Sequence, residues 1–161
     1  MPNKDIVDII IANEIDPCDP DKVTIDAGGR TQYGIAEKSN PEAWADNKVT
    51  EEEAREIYSR KYILGPGFDK VVDFHLRAQL VDFGVNSGPQ MAIMKLQEIL
   101  AVDVDGVLGP QTLGALNKAH PEAVSVQLVA SRIRMICRIV KKNPADLKNL
   151  SGWVDRALEF L

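Results

Sequence analysis

The feature that most constrains the fold is a loop-rich stretch, residues 14–35, which reads EIDPCDPDKVTIDAGGRTQYGI. Apolar residues at the spacing of one helix face precede it: Ile6, Val7, Ile10 and Ile11. This spacing predicts a first helix that ends near Glu14. The stretch holds too many Pro, Asp and Gly residues to continue that helix, and its second half fits a short β-hairpin with Gly28–Gly29 as the turn. We therefore expect a helix followed by a loop and hairpin lobe.

Three oxygen-bearing side chains stand out in this stretch: Glu14, Asp26 and Thr31. Cleavage of a glycosidic bond needs a carboxylic acid that stays protonated near apolar surface, and a second oxygen-bearing group that places water or stabilises positive charge. Glu14 suits the first role, while Asp26 and Thr31 suit the second. Taken singly they have ordinary interpretations, since a Glu at a helix end is usually solvated and Asp before glycines is a turn signal. Together they favour a sugar-cleaving site as a hypothesis.

Length and charge narrow the classes of protein. With 161 residues the chain fits one domain that buries roughly 70% of its unfolded surface. Its formal net charge is −5, and the basic residues are scattered among more numerous acids. A nucleic-acid module normally has a basic face, so no nucleic-acid partner is expected. No segment is long enough to span a bilayer, so no stable membrane insertion is expected either.

The N-terminus and the two cysteines bear on the compartment. The segment MPNKDIVDIIIANE lacks the basic start and the cleavage site of a signal peptide. Cys18 lies in a polar loop, and Cys137 lies in an apolar helical run where a core position is expected. A disulfide between them is not favoured without a secretory signal. We expect a chain made in a reducing compartment, whose export depends on another factor.

The remainder of the chain is predicted to be mainly helical. Thr50 followed by Glu53 has the spacing of a capping box, which opens a helix over TEEEAREIYSRKYI. A helix is expected from about Asp69 to Phe83, with Val72 on its apolar side, followed by a break at residues 84–88. Further helices are expected to open at Pro89 and to cover residues 111–119 and about 122–142, before the closing segment SGWVDRALEFL.

Other chemistries are less well supported by the sequence. His75 and His120 lie far apart and outside any metal-ligand spacing, which disfavours a zinc enzyme, and no cofactor is expected. Ser87 lacks the GxSxG context of a serine hydrolase. The DVDG segment at 103–106 lacks the third acidic ligand and the distant Glu of a calcium loop, so we interpret it as a turn.

Motifs in a fixed order along nearly the whole chain resemble those of one known family. Asp26-Ala-Gly-Gly29 matches a DxGG turn, Thr31 the threonine after it, and Tyr33-Gly34-Ile35 a YGI tripeptide. The later matches follow in order: Glu53-Ala54-Arg55, Tyr58 and Tyr62, Asn86-Ser87-Gly88, Leu96-Gln97, Asp105-Gly106, Gly109-Pro110, Thr112, and Gly152-Trp153 with Arg156. This order resembles the phage-type muramidases of glycoside hydrolase family 108, endolysins with a peptidoglycan-binding-like C-terminal segment.

The chain departs from this family pattern at one place. The family glutamate precedes two glycines, whereas Glu14 precedes Ile15-Asp16. Three aspartates in the following loop are therefore rival acids: Asp16, Asp19 and Asp21. Glu14 is preferred because it alone ends the apolar helix.

The resemblance implies a mainly α, lysozyme-like fold with a small loop or β-hairpin lobe and a larger helical lobe. It implies one domain over residues 1–161, divided into a catalytic helix and hairpin lobe, 1–68, and a helical lobe, 69–161. The second lobe would include a peptidoglycan-binding-like segment, 84–116. The implied reaction is hydrolysis of the β-1,4 bond between N-acetylmuramic acid and N-acetylglucosamine.

The resemblance also implies roles for individual residues. Glu14 would protonate the leaving oxygen, Asp26 would stabilise the oxocarbenium-like transition state or orient water, and Thr31 would help hold that water. Three further side chains are candidates for substrate binding: Gln32, Tyr33 and Asn86. Arg156 is expected to support the structure by pairing with an acid. The expected partner is the glycan strand of peptidoglycan, attacked by a monomer.

Two other functions stay open at this stage. A non-catalytic wall-binding or virion structural protein of the same fold is compatible with the altered sequence after Glu14. A lytic transglycosylase, in which Glu14 acts with the N-acetyl group of the sugar, is the other. For an endolysin, the resemblance implies storage in the host cytoplasm until a holin releases the protein to periplasmic peptidoglycan.

Overall fold

The computed structural model describes residues 3–26 and 29–161. The chain divides into two compact units, Met1–Gly65 and Pro66–Leu161. The first unit combines helices with a small antiparallel sheet, and the second is built from helices. A mainly α fold with a small β lobe is therefore confirmed. None of the helices in the described ranges has the length and apolar character needed to cross a bilayer.

The first unit opens with helix α1, Asn3–Glu14, which ends at the predicted residue. Its predicted apolar face is buried: Ile6, Val7, Ile10 and Ile11. Three strands follow the loop, β1 (Thr24–Asp26), β2 (Gly29–Gln32) and β3 (Ile35–Ala36). They pair antiparallel in chain order, with Thr24 opposite Thr31 and Gln32 opposite Ile35. Gly29 begins β2, while Gly28 of the predicted turn lies outside the described residues.

A second helical segment completes the first unit. Two 3₁₀ turns, Glu37–Ser39 and Pro41–Trp44, lead to helix α2, Glu51–Tyr58. The Thr50 side chain accepts from the Glu53 amide, and the Glu53 carboxylate accepts from the Thr50 amide at 2.8 Å, so the predicted capping box is confirmed. A π-helix, Ser59–Leu64, continues α2.

The structure describes every residue of the second unit, which contains five α-helices. They are α3 (Phe74–Ser87), α4 (Pro89–Leu100), α5 (Pro110–Leu116), α6 (Pro121–Lys142) and α7 (Leu150–Leu158). The predicted helix starts at Pro89 and near Glu122 are confirmed. Short 3₁₀ helices precede α3 at Phe68–Lys70 and α7 at Pro144–Asn149.

The predicted bounds of α3 are wrong at both ends. The helix starts at Phe74 rather than near Asp69, because the Asp73 carboxylate accepts from the Leu76 amide at 2.8 Å and caps it. Val72 lies before this cap and is 82% exposed, so it does not belong to the apolar side. The predicted break at Gly84 is absent, since α3 continues to Ser87.

Gly84 serves helix packing instead of breaking the helix. A Cβ atom at this position would lie 3.3 Å from the Pro89 Cα and 3.5 Å from Phe68 Cε2. The absent side chain thus lets the start of α4 approach α3 closely. The true break is Gly88, whose φ of +87° separates the two helices.

A buried charged cluster joins three helices of the second unit. The Asp82 carboxylate on α3 accepts from Arg132 Nη1 on α6 at 2.7 Å and from Arg156 Nε on α7 at 2.8 Å. The pairing predicted for Arg156 is confirmed. Cys137 also lies on α6, but it is an exposed free thiol, so its predicted core position is wrong. The helical apolar pattern of this region is carried by its neighbour Ile136, which is buried.

The DVDG segment is a turn organised by Gln97, as predicted. The Gln97 amide nitrogen donates to Asp105 Oδ1 at 2.7 Å and to Thr112 Oγ1 at 3.0 Å. Its amide oxygen accepts from the backbone of Asp105 and Gly106. The hydrogen bond from Gln97, followed by one from the Val107 amide, lowers the pKa of Asp105. Gln97, Asp105-Gly106 and Thr112, which the sequence motifs contain in this order, are therefore joined by one hydrogen-bond network.

Candidate active site

A groove of about 340 Å³ in the first unit contains both predicted catalytic side chains that the structure describes. Glu14 and Thr31 line it together with Tyr33 and Gly34. The rest of its wall comes from the loop and β1: Ile15, Asp16, Pro20, Lys22 and Thr24. The backbone of Asp26 ends β1, opposite Gly29, but the Asp26 side chain lies outside what the structure describes. The groove thus brings together Glu14 and Thr31, and the role of Asp26 stays a prediction.

Glu14 occupies its position because residue 34 has no side chain. Gly34 has φ +75°, and a Cβ atom there would lie 2.9 Å from Glu14 Oε2 and 3.0 Å from Glu14 Cγ. The same Cβ atom would lie 2.3 Å from Tyr58 Oη. An L-residue is disfavoured by this φ and by both contacts. The half-buried carboxyl at the end of α1 therefore rests directly on the backbone of the hairpin.

Thr31 presents a hydroxyl whose hydrogen-bonding capacity is unused within the described structure. Its Oγ1 is buried and has no hydrogen-bond partner there, although its backbone oxygen accepts from Thr24 Oγ1 at 3.5 Å. An unsatisfied buried polar group costs about 1–3 kcal/mol, so such a group at a groove is suited to bind water or a substrate oxygen. The strand β2 places it there through its pairing with β1.

Gln32 and Tyr33 hold the loop 15–23 against the hairpin. Gln32 Nε2 donates to the Asp21 carbonyl, and its Oε1 accepts from the Val49 amide, each at 2.9 Å. The Tyr33 hydroxyl donates to the Asp21 carboxylate, and this bond together with burial raises the pKa of Tyr33 to about 12. Both ends of the Gln32 amide are thus occupied by backbone. Substrate binding by Gln32 and by Tyr33 stays a prediction.

The rival acids of the loop have other partners. Asp16 accepts from the Cys18 amide at 3.0 Å and pairs with Lys22 at 3.2 Å; these contacts, the backbone bond first, lower its pKa. A lowered pKa is the opposite of what a general acid requires. Asp21 binds Tyr33, and Asp19 is exposed and does not line the groove. Of the rival acids, Asp16 is paired with Lys22, Asp21 is bound to Tyr33 and Asp19 lies outside the groove, while the role of Glu14 as proton donor stays a prediction.

Asn86, the remaining predicted binding residue, lies in the second unit at the end of α3. Its Nδ2 donates to the Asp82 carbonyl at 2.9 Å, and it lines a groove of about 180 Å³ with Trp153 and Ile139 among others. Its role in binding stays a prediction. Within the described parts of the chain, no group of three or more His, Cys, Asp or Glu side chains is placed to hold a metal ion.

Tyr58 and Tyr62 belong to the family motifs of the sequence, which predict no role for them. The two rings lie 5.8 Å apart at their centroids. Tyr58 is buried, and its hydroxyl donates to the Tyr33 carbonyl at 2.9 Å. Burial, followed by the charge of Glu14, raises the pKa of Tyr62. The i, i+4 spacing of the tyrosines, read together with the YGI tripeptide, was the available signal.

Comparison with known proteins finds two family models and a similar solved structure. Residues 21–88 match the family model described as Glycosyl hydrolase 108, and residues 91–158 match the model described as Predicted Peptidoglycan domain. A solved structure titled "Structure of Brucella abortus SagA" resembles the chain with a TM-score of 0.69 and 25% sequence identity. The similarity covers 97% of this chain and 93% of that one. A search of curated proteins finds no match.

The two family matches, together with the similar solved structure, support a glycoside hydrolase that acts on peptidoglycan. The chain joins a glycosyl hydrolase 108 region to a peptidoglycan domain, which confirms the resemblance seen in the sequence and the lysozyme-like fold. The match to the hydrolase family begins at residue 21 and includes Thr31. Glu14 precedes it, so its assignment rests on the geometry of the groove.

Proposed function

We propose that the protein is an N-acetylmuramidase that hydrolyses the β-1,4 bond between N-acetylmuramic acid and N-acetylglucosamine in peptidoglycan. The observation that carries the proposal is the shared groove of Glu14 and Thr31. It places a half-buried carboxyl group and a buried hydroxyl without a described partner on the same surface. Acid-assisted cleavage of a glycosidic bond needs a proton donor and a means to position water.

Each residue of the groove has a step in the proposed reaction. Glu14 donates its proton to the glycosidic oxygen as the bond to the N-acetylmuramic acid carbon breaks. Thr31 forms a hydrogen bond with the water that attacks this carbon. Asp26, at the end of β1, stabilises the positive charge or orients the water. The water proton leaves to solvent or to Asp26. The anomeric outcome depends on whether Asp26 acts on the water or on the sugar.

The proposed biological role is that of a phage endolysin. The ordered motifs resemble those of phage-type muramidases, and this resemblance supports accumulation in the host cytoplasm until a holin opens the inner membrane. The protein would then act as a monomer on periplasmic peptidoglycan. Expression with and without a separately supplied holin tests this role: lysis is expected only when both are present, and lysis without a holin would contradict it.

The identity of the bond is tested by mass spectrometry of the products released from purified peptidoglycan. A muramidase yields muropeptides with reducing N-acetylmuramic acid ends, which borohydride converts to muramitol. Reducing N-acetylglucosamine ends would overturn the proposed bond. Products with 1,6-anhydro ends would show a lytic transglycosylase, and binding without soluble products would show a non-catalytic wall protein. Incubation with chitin under the same conditions is the control that tests whether cleavage requires muramic acid.

A further inference from the structure

We propose that Tyr58 is a positioning residue for Glu14: its hydroxyl oxygen accepts a hydrogen bond from the protonated Glu14 carboxyl, against the backbone of Gly34. The inference rests on the proposed function, in which Glu14 is the general acid. It assigns a role to a buried tyrosine that the reaction described above does not use.

The first step of the argument is the common contact at Gly34. The Cβ position of residue 34 is 2.3 Å from Tyr58 Oη and 2.9 Å from Glu14 Oε2. Two oxygens at these distances from one point lie within about 5 Å of each other. Gly34, with φ +75°, leaves this point empty, so both oxygens lie beside its α-carbon.

The second step concerns the single proton of the Tyr58 hydroxyl. This hydroxyl donates to the Tyr33 carbonyl at 2.9 Å, in a buried position. A phenol has one donor and otherwise accepts. Toward Glu14 it can therefore offer lone pairs only. A carboxylate also offers lone pairs only, whereas a protonated carboxyl can donate, so the proposed hydrogen bond orients the acid while it carries its proton.

Other titratable groups near Glu14 that the structure describes make different interactions. From the π-helix, Tyr62 experiences the charge of Glu14, which contributes with burial to its raised pKa. From the hairpin, the Tyr33 hydroxyl is bound to Asp21. From the loop, Asp16 and Lys22 pair with each other at 3.2 Å. Tyr58, on α2, is the group whose hydroxyl is fixed by a backbone carbonyl beside Glu14.

The test is Tyr58→Phe, assayed on soluble peptidoglycan fragments. Loss of the hydroxyl is expected to lower kcat about tenfold or more while KM stays within about twofold, because the acid is less well oriented rather than the sugar less well bound. Activity is normalised to the folded fraction by circular dichroism.

Trp44→Phe is the matched control. Trp44 Nε1 donates to the Ile35 carbonyl at 3.1 Å, so this variant also removes a buried donor to a hairpin carbonyl, but not one beside Glu14. Normalised kcat and KM are expected to remain those of the parent protein. If Tyr58→Phe and Trp44→Phe change normalised kcat equally, Tyr58 is only structural and the proposal is overturned.

A double-mutant cycle of Tyr58→Phe with Glu14→Gln tests whether Tyr58 acts through Glu14. Glutamine has no proton to give to the glycosidic oxygen, so its orientation by Tyr58 no longer affects proton donation. The fall in kcat from Tyr58→Phe is therefore expected to be about fivefold or more smaller in the Glu14→Gln background. Equal falls in the two backgrounds would overturn the proposed contact. Full activity of Glu14→Gln would instead refute the proposed function, whatever the result for Tyr58.

Discussion

Arg30 and Glu37 form a two-point ion pair that joins β2 to the 3₁₀ turn after β3. Arg30 Nε lies 3.0 Å from Glu37 Oε2, and Arg30 Nη2 lies 2.7 Å from Glu37 Oε1. The guanidinium also stacks on Trp44, 4.8 Å from the ring centroid, and donates to Asn47 Oδ1 at 3.3 Å. Arg30 follows Gly29 and precedes Thr31, so the pair helps to fix the strand that carries the groove hydroxyl.

This ion pair predicts a pH dependence of stability. The hydrogen bonds from Arg30 lower the pKa of Glu37 to about 2, from an ordinary value of 4.5. A folded-state pKa below the unfolded one contributes stability that is complete above pH 4.5 and is lost as the pH falls toward 2. Glu37→Gln should therefore lower the free energy of unfolding at pH 7. The difference in unfolding free energy between the two proteins should shrink as the pH falls from 4.5 toward 2. Urea titrations of both proteins check this; a difference that is constant with pH would contradict it.

Thr31→Val separates a catalytic from a structural role for the groove hydroxyl. Valine keeps the shape of the side chain, and Oγ1 has no described hydrogen-bond partner to lose, so the free energy of unfolding should stay the same or rise. Turnover should fall by about 10²-fold if the hydroxyl holds the attacking water.

Thr31→Ser, which keeps a hydroxyl, is the control and should retain most of the turnover. Unfolding of Thr31→Val that accounts for its loss of activity would contradict the assignment. Both quantities are measured on the same preparation, by urea titration and by release of reducing ends.

The Asp82 cluster predicts a large loss of stability without a change of chemistry. Asp82 and Arg132 are 1% and 4% exposed, so Asp82→Asn leaves the guanidinium of Arg132 buried without its counter-charge. Breaking a buried ion pair in this way costs about 3–5 kcal/mol of unfolding free energy. Arg156→Gln should cost less, because that side chain is 18% exposed. Equal costs for the two variants in urea unfolding would contradict this account.

Local signals predicted those elements whose ends are set within a few residues of sequence. Glu14 ends α1 because Pro, Asp and Gly follow at once, and Thr50 caps α2 through a contact only three residues away. Pro89 opens α4 for a similarly local reason. The absence of a third acidic ligand and of the distant Glu likewise predicted a turn rather than a calcium loop at DVDG, where Gln97 binds Asp105.

What the sequence did not predict depends on contacts between distant segments. Gly84 has the sequence character of a helix breaker, yet it lies inside α3 because Pro89 and Phe68 pack against its bare backbone. The half-buried Glu14 of α1 and Tyr58 of α2 both approach Gly34 of the hairpin, so three separate elements come together there. Cys137 lies in the apolar run of α6 but is exposed. It follows the buried Ile136, and consecutive side chains of a helix point in different directions.

The central claim, that Glu14 is the proton donor, is tested most directly by the turnover of Glu14→Gln on purified peptidoglycan. The amide keeps the volume of the side chain but has no proton to give, so kcat should fall by about 10²–10⁴-fold with binding and melting temperature retained. Asp16→Asn, which changes the rival acid of the same groove, should keep most of the turnover. Undiminished turnover of Glu14→Gln would contradict the account. So would a result in which Asp16→Asn loses turnover and Glu14→Gln does not.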